Sequence, residues 1–135
     1  MESYKIINFN SLGLDKSPLI SLQEGYEIPF KIKRVYYIFN TAKGIKRGFH
    51  AHKNLKQVVV AVKGSCLFIL DDGKKKSEIK LDDPKKGLLI EGIIWREMKD
   101  FSNDCVLLVL ASDYYIESDY IRNYSQFKEL INNEK

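Results

Sequence analysis

From Tyr4 to Ala111 the chain is a succession of short β-branched and aromatic runs separated by turn chemistry, at intervals that predict an all-β sandwich or barrel. The runs are Tyr4 to Phe9, Leu19 to Leu22, Ile32 to Phe39, Phe49 to His52, Gln57 to Lys63, Cys66 to Leu70, Ser77 to Leu81, Gly87 to Ile90, Ile94 to Met98 and Cys105 to Ala111. Lys63-Gly64-Ser65 and Asp71-Asp72-Gly73 are short glycine-bearing connections, and each predicts a tight hairpin between antiparallel neighbours. Near Tyr124 the rhythm changes. Tyr124, Phe127, Leu130 and Ile131 fall on one face of a short helix ending about Asn132, expected to lie across the β structure as a lid or brace. Its aromatic residues read as packing.

Composition narrows the class. With 135 residues, no repeat and no linker, a single domain over 1–135 is expected. Apolar residues make up 44% and charged residues 30%, enough to build a core, which excludes intrinsic disorder. Twenty-two basic against 18 acidic residues leave a charge of +4, which suits an anionic ligand and is too dispersed to demand nucleic acid. The first residues carry no basic leader or apolar h-region, and no apolar run approaches the roughly 20 residues that span a bilayer, so no membrane partner is expected. Cys66 and Cys105 sit inside apolar runs and read as core residues, consistent with a reducing, cytoplasmic setting.

The chemistry concentrates in Gly48-Phe49-His50-Ala51-His52-Lys53. The two histidines are the whole inventory, and both fall in one H-x-H. On a strand such residues share a face about 6 to 7 Å apart. Either each imidazole satisfies its own hydrogen bond, or the pair forms a site. The spacing of Gly48, His50, His52, Gln57 and Gly64 resembles the first motif of the cupin barrels, in which two His and a Glu grip a metal and a later His completes the set. Here Gln57 replaces the Glu, and Arg96 follows Trp95 where the last His belongs, so neither metal nor other cofactor is expected. Without a metal, two imidazoles suit proton shuttling, and a cation such as Arg47 or Arg34 nearby keeps one of them neutral.

Arg34 and Tyr36 share one face of their strand, directed either into a ligand pocket or toward solvent or an interface. Together these groups suit proton transfer beside a carbonyl through an enediolate. No G-x-S-x-G, Walker loop or dinucleotide fingerprint supports acyl, phosphoryl or hydride transfer.

Five segments in order carry a more specific likeness: Lys33-Arg34-Val35-Tyr36-Tyr37-Ile38, Arg47-Gly48-Phe49-His50-Ala51-His52-Lys53, Gly64-Ser65-Cys66, Ala111-Ser112-Asp113-Tyr114-Tyr115 and Asp119-Tyr120-Ile121-Arg122-Asn123-Tyr124. On these the chain resembles the dTDP-sugar 3,4-ketoisomerases of the cupin superfamily (WxcM-like, FdtA-type) over nearly its whole length. The resemblance implies a small cupin fold, a double-stranded β-helix or jelly roll with a short C-terminal helix. It implies conversion of dTDP-4-keto-6-deoxy-D-glucose to a 3-keto isomer without metal, and hand-off to an aminotransferase that makes a 3-amino-3,6-dideoxy sugar for a surface polysaccharide such as lipopolysaccharide. It also implies a homodimer exchanging N-terminal strands within about residues 1–25. By position, His50 is the base for the carbon-3 proton, His52 its relay partner, and Tyr36 with Arg34 donors to the enediolate or hexose. Arg47, Lys53 and Arg96 are pyrophosphate candidates, and Gln57 a further substrate-binding residue. Ile93 and Arg96 stand where many relatives have Pro and His. The alternatives are a 3,5-epimerase of a related nucleotide sugar and a non-catalytic or metal-holding cupin that binds a small ligand.

Overall fold

In the computed structural model, which describes residues 4–133, two five-stranded antiparallel sheets enclose an apolar core. The first runs, in spatial order, β1 (Tyr4–Asn8), β9 (Lys86–Ile90), β6 (Gln57–Lys63), β11 (Val106–Ala111) and β4 (Arg34–Phe39). The second runs β12 (Tyr120–Ile121), β5 (Arg47–His52), β10 (Trp95–Lys99), β7 (Cys66–Asp71) and β8 (Lys76–Leu81). A separate hairpin joins β2 (Leu12–Leu14) to β3 (Ser17–Leu19), and α1 (Tyr124–Asn133) ends the described chain. The fold is all-β with one short C-terminal helix, as the run pattern predicts. The two sheets remain separate ladders, a jelly-roll sandwich rather than a barrel closed by hydrogen bonds.

Alternation explains the layers. Along β6, Val59 and Ala61 pack inward with Phe68, Leu70, Leu107 and Val109, while Val58 and Val60 pack outward under Phe9, Ile28 and Leu89. A strand buried on both faces reads as a continuous apolar run, which is how Val58 to Val62 appears in the sequence. Along β4 the alternation is plain: Arg34, Tyr36 and Ile38 turn inward, and Val35, Tyr37 and Phe39 are exposed.

Two sequence expectations change. The Gly64 turn joins strands of opposite sheets rather than making a hairpin: β6 pairs with β9 and β11, and β7 with β8 and β10. A short glycine turn marks a reversal but not the neighbour that follows it. Gly64 has φ +71°, and an added Cβ would lie 2.3 Å from Ser102 Oγ, whose oxygen accepts the Ser65 N–H. The second turn is the expected hairpin, with Asp71 opposite Lys76 and Asp72 Oδ1 accepting the N–H groups of Lys74 and Lys75.

Leu19 to Leu22 is likewise not a strand beyond Leu19, which ends β3. The ladder lies earlier, at β2 and β3, where every residue is exposed and no buried face imposes a pattern. The helix braces the outside of the second sheet: Phe127 is fully buried with Ala51, Trp95 and Ile121, worth about 2 to 3 kcal/mol of apolar burial. Both thiols are buried and free, and burial pushes Cys66 up to about 12. No described helix is long and apolar enough to cross a membrane.

Candidate active site

The histidine pair stands on a strand with a built-in bend. On β5, His50 lies opposite Arg96 and Gly48 opposite Glu97, so Phe49 is an extra residue in the ladder, a β-bulge. Gly48 has φ +91° and Phe49 has φ +58°. A Cβ on Gly48 would sit 2.8 Å from the Arg96 carbonyl oxygen, so only glycine lets β5 approach β10 this closely. Beyond the bulge Phe49 and Ala51 face outward, and His50 and His52 face the interior.

The two rings meet edge to face with centroids 4.8 Å apart, and Tyr120 covers both, 5.1 Å from His50 and 4.3 Å from His52. His52 Nδ1 lies 3.2 Å from the Asp119 carboxylate, which also accepts the N–H groups of Asn54 and Leu55. A carboxylate only accepts here, so the ring donates from Nδ1 and leaves Nε2 as a bare lone pair, buried and without a partner. His50 lines a small pocket of about 20 Å³ with Tyr36, Gln57 and Arg96. His52 lines a larger cleft of about 170 Å³ with Arg34, Lys53, Ser112, Asp119 and Tyr120.

A hydrogen-bonded chain crosses the interior. Arg96 donates to the Gln57 side-chain oxygen and to the Ile94 carbonyl, and Gln57 Nε2 donates to the Tyr36 hydroxyl at 2.9 Å. Because Gln57 supplies a donor, the Tyr36 oxygen is the acceptor and its proton remains available to a ligand. Arg34 stacks 5.3 Å from the Tyr36 ring and leaves its buried Nε unpartnered.

Electrostatics keep both imidazoles neutral. Burial first, then the Arg96 guanidinium, pushes His50 down to about 4 and His52 to about 2; His50, Arg34 and Arg122 add to the effect on His52. Burial raises the Tyr36 phenol, and lowers Arg96 to about 10, still charged at neutral pH. In the unfolded chain the same rings titrate near 6.5, so as pH falls the unfolded state binds protons first. The pair therefore makes stability fall from about pH 6.5 toward 4, where His50 levels off and His52 continues, at up to about 1.4 kcal/mol per pH unit per ring. Urea midpoints between pH 7 and 4.5 check this: His52→Asn is expected to lose less stability over the interval than the unaltered protein.

The structure brings His50, His52, Tyr36, Gln57, Arg96 and Arg34 together, and places Lys53 beside them on the cleft. Arg96 is not a rim cation, as a pyrophosphate contact requires; it is 2% exposed and enclosed. The cation expected beside the histidines is chiefly Arg96. Arg34 adds a smaller effect on His52, and Arg47 is exposed at the opposite end of β5. Sequence reasoning assigns no role to Asp119 or Tyr120. They reach the pair because β12 adds to the edge of β5, Tyr120 opposite His52 and Ile121 opposite Ala51. A two-residue strand leaves no periodicity to read, and the sole signal is the Asp119 to Tyr124 motif.

The donor set does not fit a cupin metal. The two imidazoles are joined by a neutral amide and a cation, and no three His, Cys, Asp or Glu side chains cluster as a ligand set among the described residues.

Comparison with known proteins agrees with this geometry. Residues 2–132 match the family model FdtA, described as WxcM-like, C-terminal. The chain is 54% identical over 127 residues, 94% of its length and 91% of the relative's, to the TDP-4-oxo-6-deoxy-alpha-D-glucose-3,4-oxoisomerase of Aneurinibacillus thermoaerophilus. A crystal structure of a 3,4-ketoisomerase from Helicobacter canadensis superposes with a TM-score of 0.94 at 46% identity, covering 98% of this chain and 99% of that one. A mutant of the 3,4-ketoisomerase QdtA from Thermoanaerobacterium thermosaccharolyticum, in complex with TDP-4-keto-6-deoxyglucose, superposes with a TM-score of 0.95 at 41% identity, covering 98% and 96%. The match across nearly the whole chain, on a sandwich that points two neutral imidazoles inward, makes this chain an isomerase belonging to the FdtA family, WxcM-like, C-terminal.

Proposed function

We propose that this chain is the 3,4-ketoisomerase that converts dTDP-4-keto-6-deoxy-D-glucose to a dTDP-3-keto-6-deoxyhexose. The observation that carries the reading is the pair of neutral imidazoles beside a phenol whose proton is free, all inside one sandwich. The relatives named above, one of them in complex with this keto sugar, support the choice of substrate.

The step balances without a cofactor. His50, less enclosed than His52, takes the carbon-3 proton, and the electron pair moves onto the carbon-4 carbonyl oxygen. Tyr36 gives its proton to that oxygen, and His52, its tautomer set by Asp119, takes the proton of the carbon-3 hydroxyl. The His50 imidazolium then protonates carbon 4, the carbon-3 oxygen becomes the ketone, and the second proton returns to Tyr36. Lys53 on the cleft and Arg47 farther along β5 remain candidates for the diphosphate.

The same reading includes a cytoplasmic homodimer and an aminotransferase that consumes the product for a 3-amino-3,6-dideoxy sugar of a surface polysaccharide. Leu12, Leu14 and Leu19 are 51%, 76% and 54% exposed on the β2–β3 hairpin, and Tyr37 and Phe39 on β4 are 63% and 58% exposed. Such apolar surface suits coverage by a second copy. Exchange of N-terminal strands within about residues 1–25 belongs to this proposal, residues 1–3 lying outside the described ones.

The test is incubation with the keto sugar in deuterated water, with NMR of the product trapped by an aminotransferase. A 3-keto product is expected, with deuterium at carbon 4 to the extent that the His50 imidazolium exchanges with solvent before it protonates that carbon. Absence of that product overturns the reading, and exchange at carbons 3 and 5 without isomerisation marks a 3,5-epimerase.

A further inference from the structure

Arg96 is fully enclosed, and no carboxylate forms a salt bridge with it among the described residues. Its terminal nitrogens donate to two neutral oxygens, on Gln57 and Ile94, and its Nε is buried without a partner. Leaving a guanidinium dry and unneutralised costs several kcal/mol, so a fold that retains one carries an unquenched charge in its interior. That charge lines the same cavity as His50 and Tyr36.

We propose that Arg96 is the fixed electrophile of the reaction, stabilising the enediolate oxygen from inside the sandwich, and that Gln57 positions it. The proposal rests on the ketoisomerase reading above. The chemistry of Gln57 suits that role, because its oxygen seats the guanidinium, its amide orients the Tyr36 hydroxyl, and being neutral it leaves the charge free. A glutamate there would hold Arg96 equally well and cancel it.

The charged and titratable groups facing the histidines are Arg96 from β10, Arg34 and Tyr36 from β4, and Asp119, Tyr120 and Arg122 from β12 and its flanks. The one carboxylate among them already serves His52 Nδ1 and two backbone N–H groups. One cation thus has two effects. In the free enzyme it adds to burial in keeping the imidazoles unprotonated and ready as bases. Once a proton leaves carbon 3, the oxyanion that appears beside the guanidinium offsets its repulsion toward the new imidazolium.

Gln57→Glu tests this without opening a cavity, since it keeps the side-chain size and the acceptor oxygen. We expect kcat to fall about 10- to 100-fold with KM within about threefold. NMR titration of the substrate-free protein is expected to show His50 rising from about 4 while burial, the larger cause, still holds it below its ordinary value. Arg96→Met, which removes the charge, is expected to lower kcat by about 100- to 1,000-fold, with partial recovery in Arg96→Lys.

A Gln57→Glu enzyme with unchanged kcat, or one whose histidines titrate as before, overturns the proposal. So does Arg96→Lys being as impaired as Arg96→Met with both proteins folded, because that outcome assigns Arg96 a shape role only. If the unaltered enzyme makes no 3-keto sugar, the ketoisomerase reading fails, while the histidine titrations still report whether Arg96 sets the field at the pair.

Discussion

Replacing His50 with asparagine is expected to lower kcat by about 100- to 10,000-fold while leaving the fold intact, the range that a positioned general base supplies. Asparagine keeps a polar group of similar size on β5 and removes only the basic nitrogen. The loss should fall on kcat more than on KM, because the imidazole acts on the carbon-bound proton as it leaves. Exchange of the carbon-3 hydrogen in deuterated water should drop in parallel. His52→Asn should differ in kind: with the Asp119-held ring gone, the hydroxyl proton loses its acceptor, while His50 can still exchange the carbon-bound proton. Rapid carbon-3 exchange without net isomerisation is therefore expected in that variant. Should His50→Asn retain exchange and His52→Asn lose it, the two roles are reversed.

Gly48→Ala is expected to damage both stability and activity, by about 3 kcal/mol or more and at least about tenfold in kcat for the protein that remains folded. Two costs combine. An alanine at φ +91° is strained by itself, and its Cβ would lie 2.8 Å from the Arg96 carbonyl oxygen and 3.2 Å from Glu97 Cα, both in the backbone of β10. Neither can move aside as a flexible side chain would, so β5 is pushed off the strand that carries Arg96, and His50 moves with it. Gly44→Ala is the control: φ is +84°, but nothing lies within 4 Å of its added Cβ, so only the conformational cost of about 1 kcal/mol remains. Urea unfolding and kcat of the two variants side by side make the comparison. Equal stability and equal activity would mean that the bulge does not set the histidine geometry.

Much of the site is readable in the sequence because strand chemistry is local. A period of two puts His50 and His52 on one face and Arg34 with Tyr36 on another, and both pairs do face inward. Gln57 and Arg96, which stand out as misfits to a metal set, are bonded to each other across 39 positions of chain. What the letters do not disclose is direction and distance. Arg96 reads as a site cation for a diphosphate, since nothing in Trp95-Arg96-Glu97 announces that a guanidinium will be enclosed. Asp119 is invisible as a partner because it lies 67 residues from His52 and arrives on the turn just before a two-residue strand. The Gly64 turn is legible as a reversal, but the sheets to which its two strands belong are not.

By itself, then, the chain's order of residues determined most of its strands, its C-terminal helix, its family and the imidazole pair, because each depends on alternation, turn residues or motifs within a few positions of one another. Tertiary structure alone decided which strands other than β7 and β8 became neighbours, and so that Asp119 would orient one ring, that Tyr120 would cover both, and that a cation would be buried without a counter-charge. Those pairings follow from how two sheets share a core across long stretches of chain, and side chains so distant in sequence are brought into hydrogen-bond range only by that packing.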